Sequence, residues 1–425
     1  MFSPMSARTA PIRLLFFACV FHIPTGAARP GESALTLNAA VSEALANAPE
    51  IAAQLANVDA ADALTVSAGR LPDPELLLGI DDMPVTGPDA YSLSRDSFTT
   101  RKVGAMQAFP SAAKRRAEKS LAHSELGVAQ ANLARTRAQV AQAAAQAWID
   151  RQLAESTLAK LDALAPQVAL QETLARAGLA SGRGSAADAL SAQAARAQYD
   201  DRVLAAKADV QRSVAQLARW LGTDGTAALA ASPSFAVLPV TAASLLDVSH
   251  EHAVVAAFDA QIVAARSAVA LARSVKRPDW SAELAYGNRA VFSDMVSLEF
   301  RVGLPLFTKH RQEPQIRAKT AALRQLESER EAELRMHRAE LQSVLADWRL
   351  AQSRLALLER DRLPLAQSRN DVASNAYRAG SGPLRPVLDS LSEFVELQLT
   401  ALALKAEAGR AWATLAYQTP TETTP

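Results

Sequence analysis

Apolar and polar residues follow two periods along this chain, and the switch between them outlines its elements. Between residues 35 and 70, Ala40, Ala44 and Leu45, then Ile51, Leu55 and Val58, recur at spacings of three and four, which predicts helix. Pro49 interrupts the run and suits the first turn of a second helix. Pro72 and Pro74 end it, and Glu75 to Ile80 reads as a short apolar strand. Residues 81–97 hold Pro84, Gly87, Pro88, Asp81, Asp82, Asp89 and Asp96, a polar loop. A second strand spans 98–109 and closes at Pro110. The period then changes back: from Ser111 to about Ala177 only Pro166 and Gly127 interrupt a helical pattern that would extend about 100 Å. Gly178 to Ser185 is a turn, and Ala186 to Trp220 returns as helix.

The same succession begins again about 200 residues later. Arg70-Leu71-Pro72-Asp73 reappears as Lys276-Arg277-Pro278-Asp279, and Val103-Gly104 with Phe109 as Val302-Gly303 with Phe307. Trp148 is matched by Trp348, and Arg176-Ala177-Gly178 by Arg378-Ala379-Gly380. The second copy has the sharper strands. Leu298, Phe300, Val302 and Leu304 share one face, with Glu299 and Arg301 on the other. Ala282, Leu284 and Tyr286 stand opposite Ser281 and Glu283 in the same way. Strands of about ten residues with one apolar side suit a tilted membrane strand. The competing reading is an amphipathic hairpin lying on a soluble core, and no other part of the chain supplies that core. Arg101 aligns with apolar Phe300, which places it at a rim.

The expected organisation is therefore a signal peptide (1–28), a first repeat (29–222), a linker (223–248), a second repeat (249–418) and a disordered tail (419–425). Strands lie at about 74–80, 98–109, 281–287 and 297–307, with hairpins at 111–220 and 311–417. Arg8 and Arg13, the apolar run Leu14 to Ile23 and the small residues Gly26-Ala27-Ala28 make the signal peptide, cleaved after Ala28. The run is too short to span a bilayer as a helix. Cys19, the only cysteine, lies inside it in a poor setting for lipidation, so the mature chain would offer no thiolate chemistry and no disulfide.

Composition narrows the function. Aromatics make up 5 % of the chain, and alanine dominates 126–147, 186–218 and 401–416, where it favours helix and close packing. A formal net charge of +1 excludes the electrostatic footprint of a nucleic-acid binder. No phosphate-binding loop, paired-histidine motif or cysteine cluster is visible, so neither enzymatic activity nor a cofactor is expected. Only helices and closed barrels span lipid. Four strands cannot close, since membrane barrels begin at about eight. The barrel must then be shared, and three chains would supply twelve strands. The charged hairpins, with Lys114, Arg115, Arg116, Asp150 and Arg151, must stand in water.

The layout and motifs resemble the TolC family of outer-membrane efflux channels. The residues that carry the likeness are Leu35-Thr36-Leu37 with Ala40, Ala44-Leu45 and Asn47-Ala48-Pro49-Glu50-Ile51; Arg176-Ala177-Gly178 with Asp188; and Ala376-Tyr377-Arg378-Ala379-Gly380 with Val387-Leu388-Asp389. Ala48 departs mildly from the family pattern. The resemblance covers residues 35–418. It implies a mainly α protein with membrane β: a homotrimer whose twelve-stranded barrel sits on a twelve-helix periplasmic α-barrel in the outer membrane of a Gram-negative bacterium. Its partners would be a periplasmic adaptor (membrane fusion protein) and an inner-membrane resistance-nodulation-division pump. Within the family, Leu71-Pro72-Asp73-Pro74-Glu75 and the loop with Asp81-Asp82-Met83-Pro84-Val85 and Arg95-Asp96 look most like the outer-membrane subunits of heavy-metal pumps of the CusC/CzcC type. The implied cargo is heavy-metal cations, with drug efflux or type I protein secretion as the alternative. A coiled-coil adaptor without a pore is disfavoured by the two hairpins.

Several residues are candidates for function. Asp389 at the second tip reads either as one member of a carboxylate ring that attracts cations or as a helix cap. Pro386 stands where the family often has a further acid, so any such ring is single. For Asp188 capping is favoured. Gly178 and Gly380 suit left-handed turn positions. Arg176 and Arg378 could tie neighbouring hairpins together or dock the adaptor, and Glu299 and Arg301 would line the lumen. His250-Glu251-His252 offers two metal ligands or a solvated surface; His310 and His337 have no partners near in sequence.

Overall fold

Alanine-rich stretches free of glycine and proline propagate helix without interruption, and the longest dominates the molecule. The computed structural model describes residues 34–223, 225–239, 241–247 and 252–418. The expected leader with Ala28, the residues His250 and Glu251, and the tail 419–425 lie outside the described residues.

Helix α1 (Leu37–Asn47) starts at Thr36, whose hydroxyl accepts from the Ala39 N–H at 3.1 Å. Pro49 opens α2 (Pro49–Ser67), where its missing N–H costs nothing. Strands β1 (Glu75–Asp81) and β2 (Thr100–Phe109) lead into α3 (Ala112–Ala180), a 69-residue helix of about 100 Å, and α4 (Ala186–Leu221) returns along it. The expected linker holds a short helix, α5 (Ala242–Leu246), and a parallel bridge between Leu35 and Leu229. Then follow α6 (Ala253–Ser274), β3 (Trp280–Arg289), β4 (Met295–Val302), α7 (Gln312–Leu357), α8 (Leu363–Arg378) and α9 (Arg385–Ala416).

Two boundaries differ from expectation for local reasons. Strand β4 ends at Val302, not at 307: the Gly303 N–H still holds the ladder by donating to the carbonyl of Asp279 (2.9 Å), but Pro305 has no N–H to offer beyond it. Leu304 therefore lies beyond the strand. The second hairpin's first arm is also not one helix. A π-helical turn, Leu358–Arg362, separates α7 from α8, and the Leu363 N–H reaches back to Leu358. Pro364 follows at the start of α8, so the wide turn absorbs the hydrogen bond that proline removes. In the first hairpin α3 runs through Pro166.

The four strands form one antiparallel meander in the order β1-β2-β3-β4. Register places Leu78 opposite Val103, Val103 opposite Tyr286, Leu284 opposite Leu298 and Ala282 opposite Phe300, all on one face. That face is open, with Leu78 75 % exposed and Val296 70 %. Arg101 shares it but sits at the loop end, where its guanidinium donates to the Asn288 side chain.

Helix α6 is long and apolar enough to cross a membrane by length and composition. It instead packs between α3 and α7, tied by Asp259–Arg330 and Arg266–Glu327 ion pairs. A core around Trp148, Val41, Ala44 and Leu217 joins α1, α3 and α4, and a second around Leu161, Leu358, Phe394 and Leu404 joins the two hairpins lower down. There the buried Tyr199 hydroxyl donates to the Leu161 carbonyl, and burial pushes its pKa up to about 12.

Candidate functional site: the polar sheet face and the hairpin tips

Alternation along β3 and β4 sends Glu283, Glu299 and Arg301 to the face opposite the apolar one, and β2 adds Lys102. These four side chains form a single chain of charge. Lys102 Nζ lies 3.0 Å from Glu283 Oε1, Arg301 Nη2 lies 2.7 Å from Glu283 Oε2, and Arg301 Nε lies 2.7 Å from Glu299 Oε1. Glu283 sits at the centre and is only 5 % exposed, held between two cations. Asp81 lies 3.9 Å from Lys102 at the edge of the group. Glu299 and Arg301 were expected on this face. Glu283, which alternation also set on the polar side of β3, and Lys102 of β2 complete it from other strands.

At the far end of the helices the two hairpin tips pack on each other through Ala175, Ala192, Leu384 and Val387. Asp188 is the third residue of α4 in a reciprocal cap. Its carboxylate accepts from the Ser185 hydroxyl at 2.7 Å and the Ser185 N–H at 3.1 Å, while the Asp188 N–H donates to Ser185 Oγ. Those bonds, the hydroxyl's first, hold its carboxyl below the usual aspartate range. Asp389 is not a cap: α9 begins four residues earlier at Arg385, and no side chain caps it. Asp389 stands exposed, 3.7 Å from Arg385.

The glycines divide differently from expectation. Gly380 takes φ +73° as predicted for a left-handed turn, but Gly178 remains helical, and in the first tip Gly182 takes φ +70°. Gly178 serves close approach instead, since a Cβ there would lie 3.3 Å from the Tyr377 hydroxyl of the other tip. Arg176 pairs along its own helix with Glu172 at 2.5 Å, and Arg378 is exposed at the end of α8.

Two buried polar groups lie between these ends, and one of them, Arg151, was expected to stand in water. Arg151, 3 % exposed, donates to the carbonyls of Gly225 (2.5 Å) and Ala227 (2.8 Å) and pairs with Glu155, so it pins the inter-repeat linker to α3. His252 and His337, 85 residues apart, meet with Nδ1 and Nε2 at 3.1 Å, both buried. Among the described residues no cluster of three or more His, Cys, Asp or Glu side chains is placed to hold a metal ion.

An open antiparallel sheet with one apolar face, carried on helices of this length, has solved counterparts. The chain matches the outer-membrane protein VceC of Vibrio cholerae with a TM-score of 0.75 and 20 % identity, over 90 % of this chain and 96 % of that one. It shares the TolC-type outer-membrane channel fold. CusC, crystallised in work on transmembrane channel formation, gives 0.75 at 15 % identity over 89 % of this chain and 90 % of that one. The open state of the MtrE outer-membrane channel of Neisseria gonorrhoeae gives 0.75 at 14 % over 90 % and 88 %. No family model matches the sequence, and no curated protein does. The channel fold therefore rests on three-dimensional likeness.

Proposed function

We propose that this protein is a passive exit duct of a tripartite efflux pump in the outer membrane of a Gram-negative bacterium, and not an enzyme. The observation that carries the reading is the four-stranded sheet, apolar on one face and charged on the other, joined directly to a 69-residue helix. Its two outer strands, β1 and β4, each pair on one side only among the described residues. Lipid tolerates no open edge. Three copies joined edge to edge give a closed twelve-stranded barrel, with the Lys102–Glu283–Arg301–Glu299 face inward and the hairpins forming a twelve-helix tunnel below. The recurrence of helix, two strands and hairpin makes each chain a duplicated unit. The partners are a periplasmic adaptor at the tips and an inner-membrane resistance-nodulation-division pump, which supplies the energy the duct has no means to couple.

The cargo assigned to the duct is heavy-metal cations, on the likeness of residues 71–96 to the outer-membrane subunits of such pumps. The test is single-channel conductance of the purified trimer in planar bilayers. Steady unit conductance is expected, and a folded trimer that passes no current would refute the duct.

A further inference from the structure

Asp279 and Asp73 occupy matching places, yet among the described residues only Asp279 has a partner. Asp279 directly precedes β3 and reaches to the helix that follows the neighbouring strand β2. Its Oδ1 accepts from the Ser111 N–H at 2.7 Å, and Oδ2 takes the Lys114 ammonium at 3.1 Å. Ser111 is the first cap of α3, so one carboxylate closes that helix start and fixes it to the sheet.

Asp73, in Arg70-Leu71-Pro72-Asp73, stands just before β1 as Asp279 stands before β3. But β1 is the edge of the sheet, and among the described residues no strand, and so no following helix start, lies on its open side. Asp73 is exposed and makes no hydrogen bond or ion pair among the described residues. The complementary defect lies at the other edge. Helix α7, which follows β4, begins after Arg311 with no side chain capping it, and Lys309, His310 and Arg311 are exposed there. The one acid in that first turn, Glu313, is already engaged by Lys276 at 3.4 Å.

We propose that Asp73 of one copy of this chain docks on the start of α7 of the next copy, against the Arg311 and Lys309 cations, and supplies the carboxylate to a helix start that only the Thr308 carbonyl meets in the single chain. Strand directions bring the two together. In an antiparallel meander β1 and β3 begin, and β2 and β4 end, at the helical side of the sheet. Continuing the alternation from β4 to β1 of a second copy therefore sets Asp73 beside α7 as Asp279 is set beside α3. The cation differs in position: Pro314 stands at the place of Lys114, and Arg311 and Lys309 precede the helix instead. This inference rests on the trimer proposed above. It adds the residues that bind one copy to the next at the seam between barrel and tunnel.

The experiment is a charge swap read by the temperature at which the detergent-purified trimer dissociates. Asp73→Arg should lower that temperature by several degrees, and Asp73→Arg with Arg311→Asp should recover most of the loss. Where Asp73→Arg gives no folded protein, Asp73→Cys with Arg311→Cys decides: oxidation should produce covalent dimers and trimers on a non-reducing gel, while Asp279→Cys with Ser111→Cys stays monomeric there. A particle shown trimeric by light scattering that is insensitive to the swap, or yields no covalent oligomer, overturns the contact and leaves the duct standing. A particle monomeric throughout overturns both.

Discussion

Trp348 donates its indole N–H to the carbonyl of Phe235 at 3.0 Å across 113 residues of chain. Trp148 does the same to Leu35, also at 3.0 Å and also across 113 residues. Each tryptophan stands 36 residues beyond the first residue of its long helix, α3 or α7, and holds a segment far upstream of that helix. Leu35 and Phe235 each keep a second donor, from the Ala230 N–H and the Gln352 side chain. Replacing either indole by phenylalanine should therefore cost only about 1 kcal/mol from the lost bond. Trp148→Phe should cost more than Trp348→Phe, because Trp148 is fully enclosed and the smaller ring leaves a void. Thermal unfolding followed by circular dichroism measures both, and equal losses would contradict the argument.

Arg151→Met should be among the most damaging single changes in the helical region. The apolar stem is kept, but the Gly225 and Ala227 carbonyls and Glu155 lose their donor in a buried place. The expected loss is about 3 kcal/mol, with faster hydrogen exchange along residues 225–230. Slow exchange there in the variant would show that the linker is held by its apolar contacts alone.

The His252–His337 pair should make this region acid-sensitive. Burial lowers the pKa of His337, and Glu340 and Glu333 only partly oppose it. The folded protein therefore keeps the ring neutral while the unfolded chain, with a pKa of about 6.5, takes up a proton. The unfolded state binds more protons in that window, so stability is full above about pH 6.5 and falls as pH drops toward the lowered folded value. Unfolding midpoints across this range should show the slope, and His337→Gln should flatten it.

Asp389→Ala should weaken block by multivalent cations added from the periplasmic side, several-fold in blocking concentration. The residue caps nothing and its carboxylate is exposed beside Arg385. Three such carboxylates around an axis would attract cations. Single-channel recordings give the answer, and unchanged block would remove Asp389 from the aperture.

Glu283→Ala should turn the upper lumen toward anions. Glu283 balances Lys102 and Arg301, and without it those two cations would keep only Glu299 and Asp81 near; in the proposed duct they would face the lumen. Reversal potentials in a salt gradient should shift in the anion-selective direction. A fixed reversal potential would show that this charge group does not meet the permeating ions.

Much of the fold was legible because its signals are local. The period-two alternation of Leu298, Phe300 and Val302 against Glu299 and Arg301 survives in the sheet face by face. The first hairpin's arms lie within a few residues of where alanine and glycine placed them. The misreadings were also local, but decided by neighbours. Gly178 and Gly182 are both glycines near one turn. Only the packed Tyr377 shows that the first is there for room and the second for its backbone angle. Pro364 shows as a break in any sequence, whereas the π turn that lets the helix continue past it depends on the surrounding core through Leu358.

From the sequence alone came the period of each element and a sheet with one apolar face and one charged face. These follow from side-chain spacing, which needs no partner to be read. Tertiary structure alone decided which charges are buried and what they meet. Arg151 looks like any other arginine on a polar helix until the linker folds across it, and His252 and His337 become a pair only when α6 lies against α7. Contacts between residues far apart in the chain depend on how whole helices pack, and no local pattern of residues encodes that.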